Sequence, residues 1–382
     1  MAWSANWAWH RALRAAGRQT IRSNPSLSAH GARRPEFSAD AMTKAAPACP
    51  ETFALDTLAQ EGPADRGFLR SAWFAAGDSP ADRVLIARDN EDAPLAGLAF
   101  DHRRIGPLSV KQVAGSYWPF RGIPLAPRAS RESLARALRA LRSEIGRIWR
   151  IGPLRADDPE ARKLLDGARA AGWRTLERPV GRIFEIDLKT LKERGTWPSS
   201  RGAQKNRWRV RQIEKDGPVA IRSFTGSDWL TEDRDAIAEI ERRSWVGQLE
   251  QGGDTKFADP AMRRFWESIC ADPDLARMIY GMIMTVANRP IAFTFGLDCG
   301  PMRYCIANGY DQAFAKFSPG RVLLYADFEA AYERGIERID WGLGDAGYKE
   351  GMGARPDAEM IDVLLVRPAI LAALLSPLWV RG

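Results

Sequence analysis

The sequence predicts a mixed α/β protein of the α+β type, built from two similar tandem units. Each unit is expected to be a mixed, largely antiparallel sheet flanked by helices. Three observations carry this. From Phe53 onward, short strand-like apolar runs alternate with stretches of helical spacing. The order of these elements recurs, without any residue-level repeat, on either side of residues 187–200. And 382 residues, 45% hydrophobic and 27% charged, supply enough chain for two ordinary cores. The expected divisions are a basic segment outside the fold at 1–50, a first unit at 51–190, a second at 191–367 and an apolar C-terminal segment at 368–382.

In the first unit, residues 68–76 are spaced as a short amphipathic helix. Residues 83–89 and 95–106 read as two strands around a turn marked by Asn90 and Pro94. A strand at 109–115 and a proline-rich loop at 117–127 follow. Ser130 and Ser133 open a helix that sets Leu134, Leu138, Leu141 and Ile145 at helical intervals. A strand at 148–154, a helix at 161–173 and a strand at 181–188 complete the unit. The second unit begins with a basic helix at 199–216, a strand at 218–224 and helices at 228–245 and 259–270. A three-stranded meander runs from Met278 to Asp311, with turns at 288–290 and 299–301. After it come a loop at 312–320, a helix at 321–335, a strand at 336–344, a loop at 345–353 and a last strand at 363–366.

The net charge of +8 invites a nucleic-acid reading, and its location argues against one. Residues 1–50 carry +5 and residues 201–215 carry another +5, so the remaining chain sums to −2. The first segment, with Trp3, Trp7 and Trp9 and no acid before Glu36, reads as a tail or as upstream sequence before Met42. An arginine-rich, acid-poor start also suits an anionic membrane surface. Pro368–Val380 is thirteen residues interrupted by Pro377, too short to span a bilayer, and reads as a helix packed on the body or an interfacial foot. Cys49, Cys270, Cys299 and Cys305 form no CxxC pair, which excludes a zinc ribbon and fits a reducing, cytoplasmic setting. Of three histidines only His102 lies outside the N-terminal segment, so neither a histidine triad nor a multi-histidine metal site is expected. Chemistry must run on carboxylates, Tyr, Lys, Ser, backbone amides or water.

The densest signal lies between Met278 and Gly353. Ser318-Pro319-Gly320 precedes a helix directly, leaving the amides of Arg321, Val322 and Leu323 as an expected anion or pyrophosphate site, with Lys316 and Arg321 adding charge. Three strands, a glycine-bearing loop, a helix and a strand running into a tyrosine-containing loop is the element order of the GNAT acyltransferases. Tyr310, Ser318-Pro319-Gly320, Gly335, Asp340-Trp341-Gly342-Leu343-Gly344-Asp345 and Tyr348-Lys349 resemble the CelD-like branch of that superfamily, akin to the FemAB family. The basic helix and Glu241–Trp245 are similar to that branch as well.

The resemblance implies an acyl group carried on acetyl-CoA or another acyl-CoA and passed to an amine of a sugar, amino acid or lipid-like acceptor, with no metal. It implies donor binding by Lys316, Ser318, Gly320, Arg321 and Val322. Asp345 is the first candidate base and Glu241 the second; Tyr348 is the expected proton donor to the departing thiolate. Lys349 is placed to hold an anionic group or assist the oxyanion, with a strand amide near 307–309. Trp245, Tyr310 and Asp340 are candidate substrate contacts. Each has a plainer reading: Asp345 as a turn former, Tyr348 and Trp245 as packing, Asp340 as a local pair. The loop lacks the longer Gly-rich form usual in the superfamily, and FemAB relatives use aminoacyl-tRNA, so that donor is the enzymatic alternative. A non-catalytic binding module in envelope or polysaccharide biosynthesis is the other. A monomer or homodimer in the cytoplasm, in peripheral contact with the inner membrane at most, completes the expectation.

Overall fold

The computed structural model describes residues 50–76, 80–105, 108–249, 255–345 and 347–381; the basic segment at 1–49 lies outside them. The first unit opens with α1 (Pro50–Glu61), which the sequence patterns do not announce, and α2 (Ser71–Ala75). Strands β1 (Arg83–Arg88), β2 (Pro94–Ile105) and β3 (Leu108–Val113) pair antiparallel in turn. Helices α3 (Arg131–Ala140) and α4 (Arg142–Ile145) lead into β4 (Ile148–Arg155), which lies parallel to β3. The start of α3 is fixed by a reciprocal Ser130–Ser133 capping box, which satisfies two amides the helix leaves over. Then come α5 (Pro159–Ala170), capped by Asp158, and β5 (Arg174–Asp187).

The second unit repeats the plan. Helices α6 (Leu188–Glu193) and α7 (Ser200–Ile213) precede β6 (Val219–Thr225). Helices α8 (Thr231–Arg243), α9 (Pro260–Cys270) and α10 (Pro273–Met278) follow. The expected meander is β7 (Ile279–Val286), β8 (Arg289–Cys299) and β9 (Met302–Tyr310). Helix α11 (Pro319–Glu333) crosses over to β10 (Arg338–Leu343), parallel to β9; β11 (Arg355–Val366) and α12 (Ala369–Arg381) end the described chain.

The two units share one eleven-stranded sheet, ordered β1-β2-β3-β4-β11-β5-β10-β9-β8-β7-β6. This does not divide cleanly at residue 190. Strand β11 belongs to the second unit in sequence but lies between β4 and β5 of the first. Strand β5 in turn pairs β11 on one side and β10 on the other. That double pairing explains why β5 runs through Pro179 and Gly181, which read as a break in the sequence: the β11 ladder has register shifts there that absorb them.

Strand alternation separates two faces. Met282, Met284 and Ala292 meet Val322 and Leu323 of α11 and Ile213 of α7 on one face. Ile283, Phe293 and Phe295 meet Ile237 and Ile240 of α8 and Trp266 of α9 on the other. The second face also joins the units. Tyr304 of β9 packs edge-on to Phe68 and Phe120, and Trp73 to Phe265 and Trp266. Each such side chain, fully buried, contributes about 1.5–3 kcal/mol, so the contact between units is a shared core.

Candidate active site

The parallel pair β9–β10 is in register for only three residues: Arg338 opposite Met302, Ile339 opposite Arg303 and Asp340 opposite Tyr304. Beyond them the strands part. Strand β9 stays with β8 and β10 stays with β5, and a bulge at Ile306 marks the divergence, since Phe295 faces Ala307 while Gly296 faces Cys305. This opening in an otherwise continuous sheet is where the expected site residues gather. Helix α11 is held to β9 beneath it by Arg303, buried and bonded to Asp327 at 2.8 Å.

Asp340 sits at the apex. One carboxylate oxygen accepts the Gly342 N–H at 2.9 Å, and burial pushes the group up to about 6. Its strand neighbours Ile339 and Trp341 pack against α11, so Asp340 points to the opposite face, the one shared with the first unit. Glu185 of β5 is its register partner and is also raised by burial. Arg155 bonds Glu185 at 3.3 Å and Asp357 at 2.7 Å, and also reaches Asp157, while Arg338 reaches Glu185. Four carboxylates thus share two guanidinium groups at that mouth.

Tyr348 stands on the α11 side. Its ring meets the edge of Trp341 at 5.4 Å, its hydroxyl lies towards the Asn308 side chain, and burial pushes it up to about 12. Lys349 is buried; its Nζ donates to the carbonyls of Gly342 and Leu343, each at 3.1 Å, and burial pulls it down to about 8. The Cys305 thiol faces the same space and is raised by burial.

Four readings are corrected by the geometry. Asp345 is exposed and its Oδ1 accepts the amides of Gly347 and Lys349, so it holds the turn that presents Tyr348 and Lys349. Glu241 lies on α8, across the sheet from α11, and its carboxylate is taken by the amides of Lys256, Phe257 and Ala258 at 2.7–2.8 Å. Trp245, just past α8, is 54% exposed rather than core. The amides of Arg321 and Val322 are not free either: both donate to the Ser318 carbonyl, at 3.1 and 3.3 Å.

What remains at the start of α11 is more selective. Ser318 adopts a left-handed conformation (φ 49°), and Gly320 must be glycine, because a Cβ there would come within 2.9 Å of the Tyr310 ring. The Arg321 guanidinium donates to the Gly351 carbonyl, tying the helix start to the loop of Tyr348. Arg209 of α7 is lowered by burial and by the nearby charge of Arg321. Lys316 is exposed, over the ring of Phe317. The outer side of α7 adds Arg201, Lys205, Arg207 and Arg211, with Trp208 exposed among them.

The sequence patterns did not indicate Trp118. It comes from the proline-rich loop of the first unit, its indole N–H donates to the Cys305 carbonyl at 3.0 Å, and its ring lies against Gly342, whose φ is 82°. Glu241 supports this wedge at a distance: it fixes the 256–258 loop, whose Lys256 Nζ donates to the Tyr117 hydroxyl at 2.6 Å. Among the described residues no cluster of His, Cys, Asp and Glu could hold a metal ion.

An antiparallel meander, a crossover helix and a parted parallel strand pair define an acyltransferase-type fold, and residues 200–350 match the family described as Acetyltransferase (GNAT) domain. The family match covers that region only, and the described chain as a whole has a fold similar to that of FemX. FemX superposes with a TM-score of 0.58 at 10% identity, covering 85% of this chain and 98% of its own. The C-terminal domain (DUF2156) of a candidate lysylphosphatidylglycerol synthetase from Agrobacterium fabrum gives 0.51 at 13% identity, covering 85% and 93%. A conserved protein of unknown function from Bacteroides thetaiotaomicron gives 0.50 at 14% identity, covering 82% and 97%. Comparison with curated proteins finds no match.

Proposed function

We propose that the protein transfers an acyl group from an acyl-CoA to an amine of a sugar, amino acid or lipid-like acceptor, with the chemistry in the opening between β9 and β10. The observation that carries this reading is the placement of Asp340 and Tyr348 on opposite faces of that opening, with acidities suited to opposite proton transfers. The acceptor enters from the face shared by the two units, where Asp340, Glu185, Asp357 and Asp157 outnumber Arg155 and Arg338. An excess of carboxylates favours an ammonium group, and Asp340, at about 6, takes its proton directly or through a water. The donor lies on the α11 side, its phosphates beside Arg321, Arg209, the Gly320 amide and Lys316. The amine attacks the thioester carbonyl, the C–S bond breaks, and Tyr348, still protonated at neutral pH, gives its proton to the departing thiolate. Lys349 holds the two carbonyls that shape the end of β10, which keeps Gly342 against Trp118 and the apex fixed.

One observation favours aminoacyl-tRNA as donor instead. The amides of Arg321 and Val322 are already bonded to Ser318, while the exposed side of α7 offers Arg201, Lys205, Arg207 and Arg211 to a longer polyanion. Isothermal titration of the purified chain with acetyl-CoA and with a long-chain acyl-CoA separates the two. Binding of either supports the primary reading. No binding to either, with activity that disappears on nuclease treatment, supports the second.

A further inference from the structure

Helix α12 has a single charged side chain, Arg381, in its thirteen residues. One face is built into the protein: Ala372 and Trp379 are buried with Val110, Ile148, Leu364 and Val366. The Trp379 ring lies 4.2 Å under the Arg178 guanidinium and near that of Arg150, two residues anchored on the buried Asp362. The helix is therefore pinned to the sheet. Its other face is not covered by any described residue. Ile370, Leu374 and Leu378, four residues apart and so in one line, are 76%, 65% and 69% exposed. A continuous apolar stripe on a pinned helix marks a contact surface.

Charge identifies the partner. Arg367, directly before α12, donates to the carbonyls of Arg142 and Gly146, and its guanidinium feels the like charges of Arg142 and Arg147. Arg142 and Arg147 are exposed, and none of the three forms an ion pair among the described residues. In sequence, Arg381 follows Val380 directly. We infer that this face docks on an anionic lipid bilayer, the stripe entering the boundary between headgroups and acyl chains while the arginines meet lipid phosphates. A second copy fits poorly: pairing two α12 helices in either direction sets arginine against arginine. The segment at 1–49, which carries +5, meets the same repulsion.

Co-sedimentation of the full chain with vesicles of phosphatidylglycerol and phosphatidylcholine, against vesicles of phosphatidylcholine alone, tests this. The expected result is at least about tenfold stronger binding to the anionic vesicles, weakening as salt is raised. Leu374→Glu with Leu378→Glu should abolish it, and Arg142→Glu with Arg147→Glu, which leaves the helix untouched, should remove the preference for anionic lipid. Three results overturn it: no preference for anionic vesicles, binding that survives both pairs of substitutions, or a dimer by light scattering that Leu374→Glu with Leu378→Glu dissolves.

Discussion

Asp340 and Tyr348 are eight positions apart in sequence, yet the strand pleat and the following turn send them to opposite faces of β10. Their protonation gives the most specific expectations. Asp340 binds its proton more tightly folded, at about 6, than its ordinary value of 3.8, so its contribution to stability falls as pH rises from about 4 to about 6. Asp340→Asn keeps an acceptor for the Gly342 N–H and removes that slope, so urea titrations at pH 4.5 and 7 should show the variant gaining relative to wild type at the higher pH, by about 2–3 kcal/mol at most. The same substitution should erase an acid limb near pH 6 in kcat/KM. Gly320→Ala should cost about 1–3 kcal/mol by denaturant titration, because the Tyr310 ring has to move. Part of this was legible at the level of residues: a motif read in order singles out Tyr348, Asp340 and the Ser318-Pro319-Gly320 turn, with Asp340 as a substrate contact and not as the base proposed above. The role of Glu241 was not, and that of Asp345 was only the plainer of two readings. A carboxylate that accepts backbone amides and one that accepts a substrate proton look alike in sequence, and only the geometry shows that the amides have taken both. Trp118 was illegible for another reason, since its partner Cys305 is 187 positions away and belongs to the other unit.

At the scale of elements, the meander, the central helix and the strand after it were all foreseen, because each is a local pattern with its own period and caps. The exchange of β11 was not foreseen. Val363–Val366 reads as a strand, but nothing local to it says that its neighbours are β4 and β5, from the far half of the chain. The consequence is testable. A fragment of residues 51–190 leaves β4 and β5 with no strand between them, and buried ladder groups without partners. Such a fragment should show no cooperative thermal transition by circular dichroism, and should regain one when the second half is supplied in trans. A cooperative fold of the fragment alone would mean that the two units are structurally independent. Helix α12 shows the same limit from the other side: its apolar composition was plain in sequence, while which face it buries depends on Trp379 finding Arg178.

The whole molecule is organised so that one unit completes the other. In the first unit the opening between β3 and β4 is filled by its own chain, where Arg121 exchanges backbone hydrogen bonds with Gly152 and Pro153. In the second unit the corresponding opening carries Asp340, Tyr348 and Lys349, and the first unit supplies the Trp118 wedge together with Arg155, Asp157 and Glu185. Under the proposed function this asymmetry places chemistry in the second unit and positioning in the first. The measurement that tests it most directly is thiol release from an acyl-CoA, with and without an amine acceptor, by nuclease-treated wild type and by Tyr348→Phe. The expected result is amine-dependent thiol release that survives nuclease and falls about a hundredfold in kcat in the variant. No thiol release from any acyl-CoA, or release that Tyr348→Phe leaves unchanged, would contradict the account.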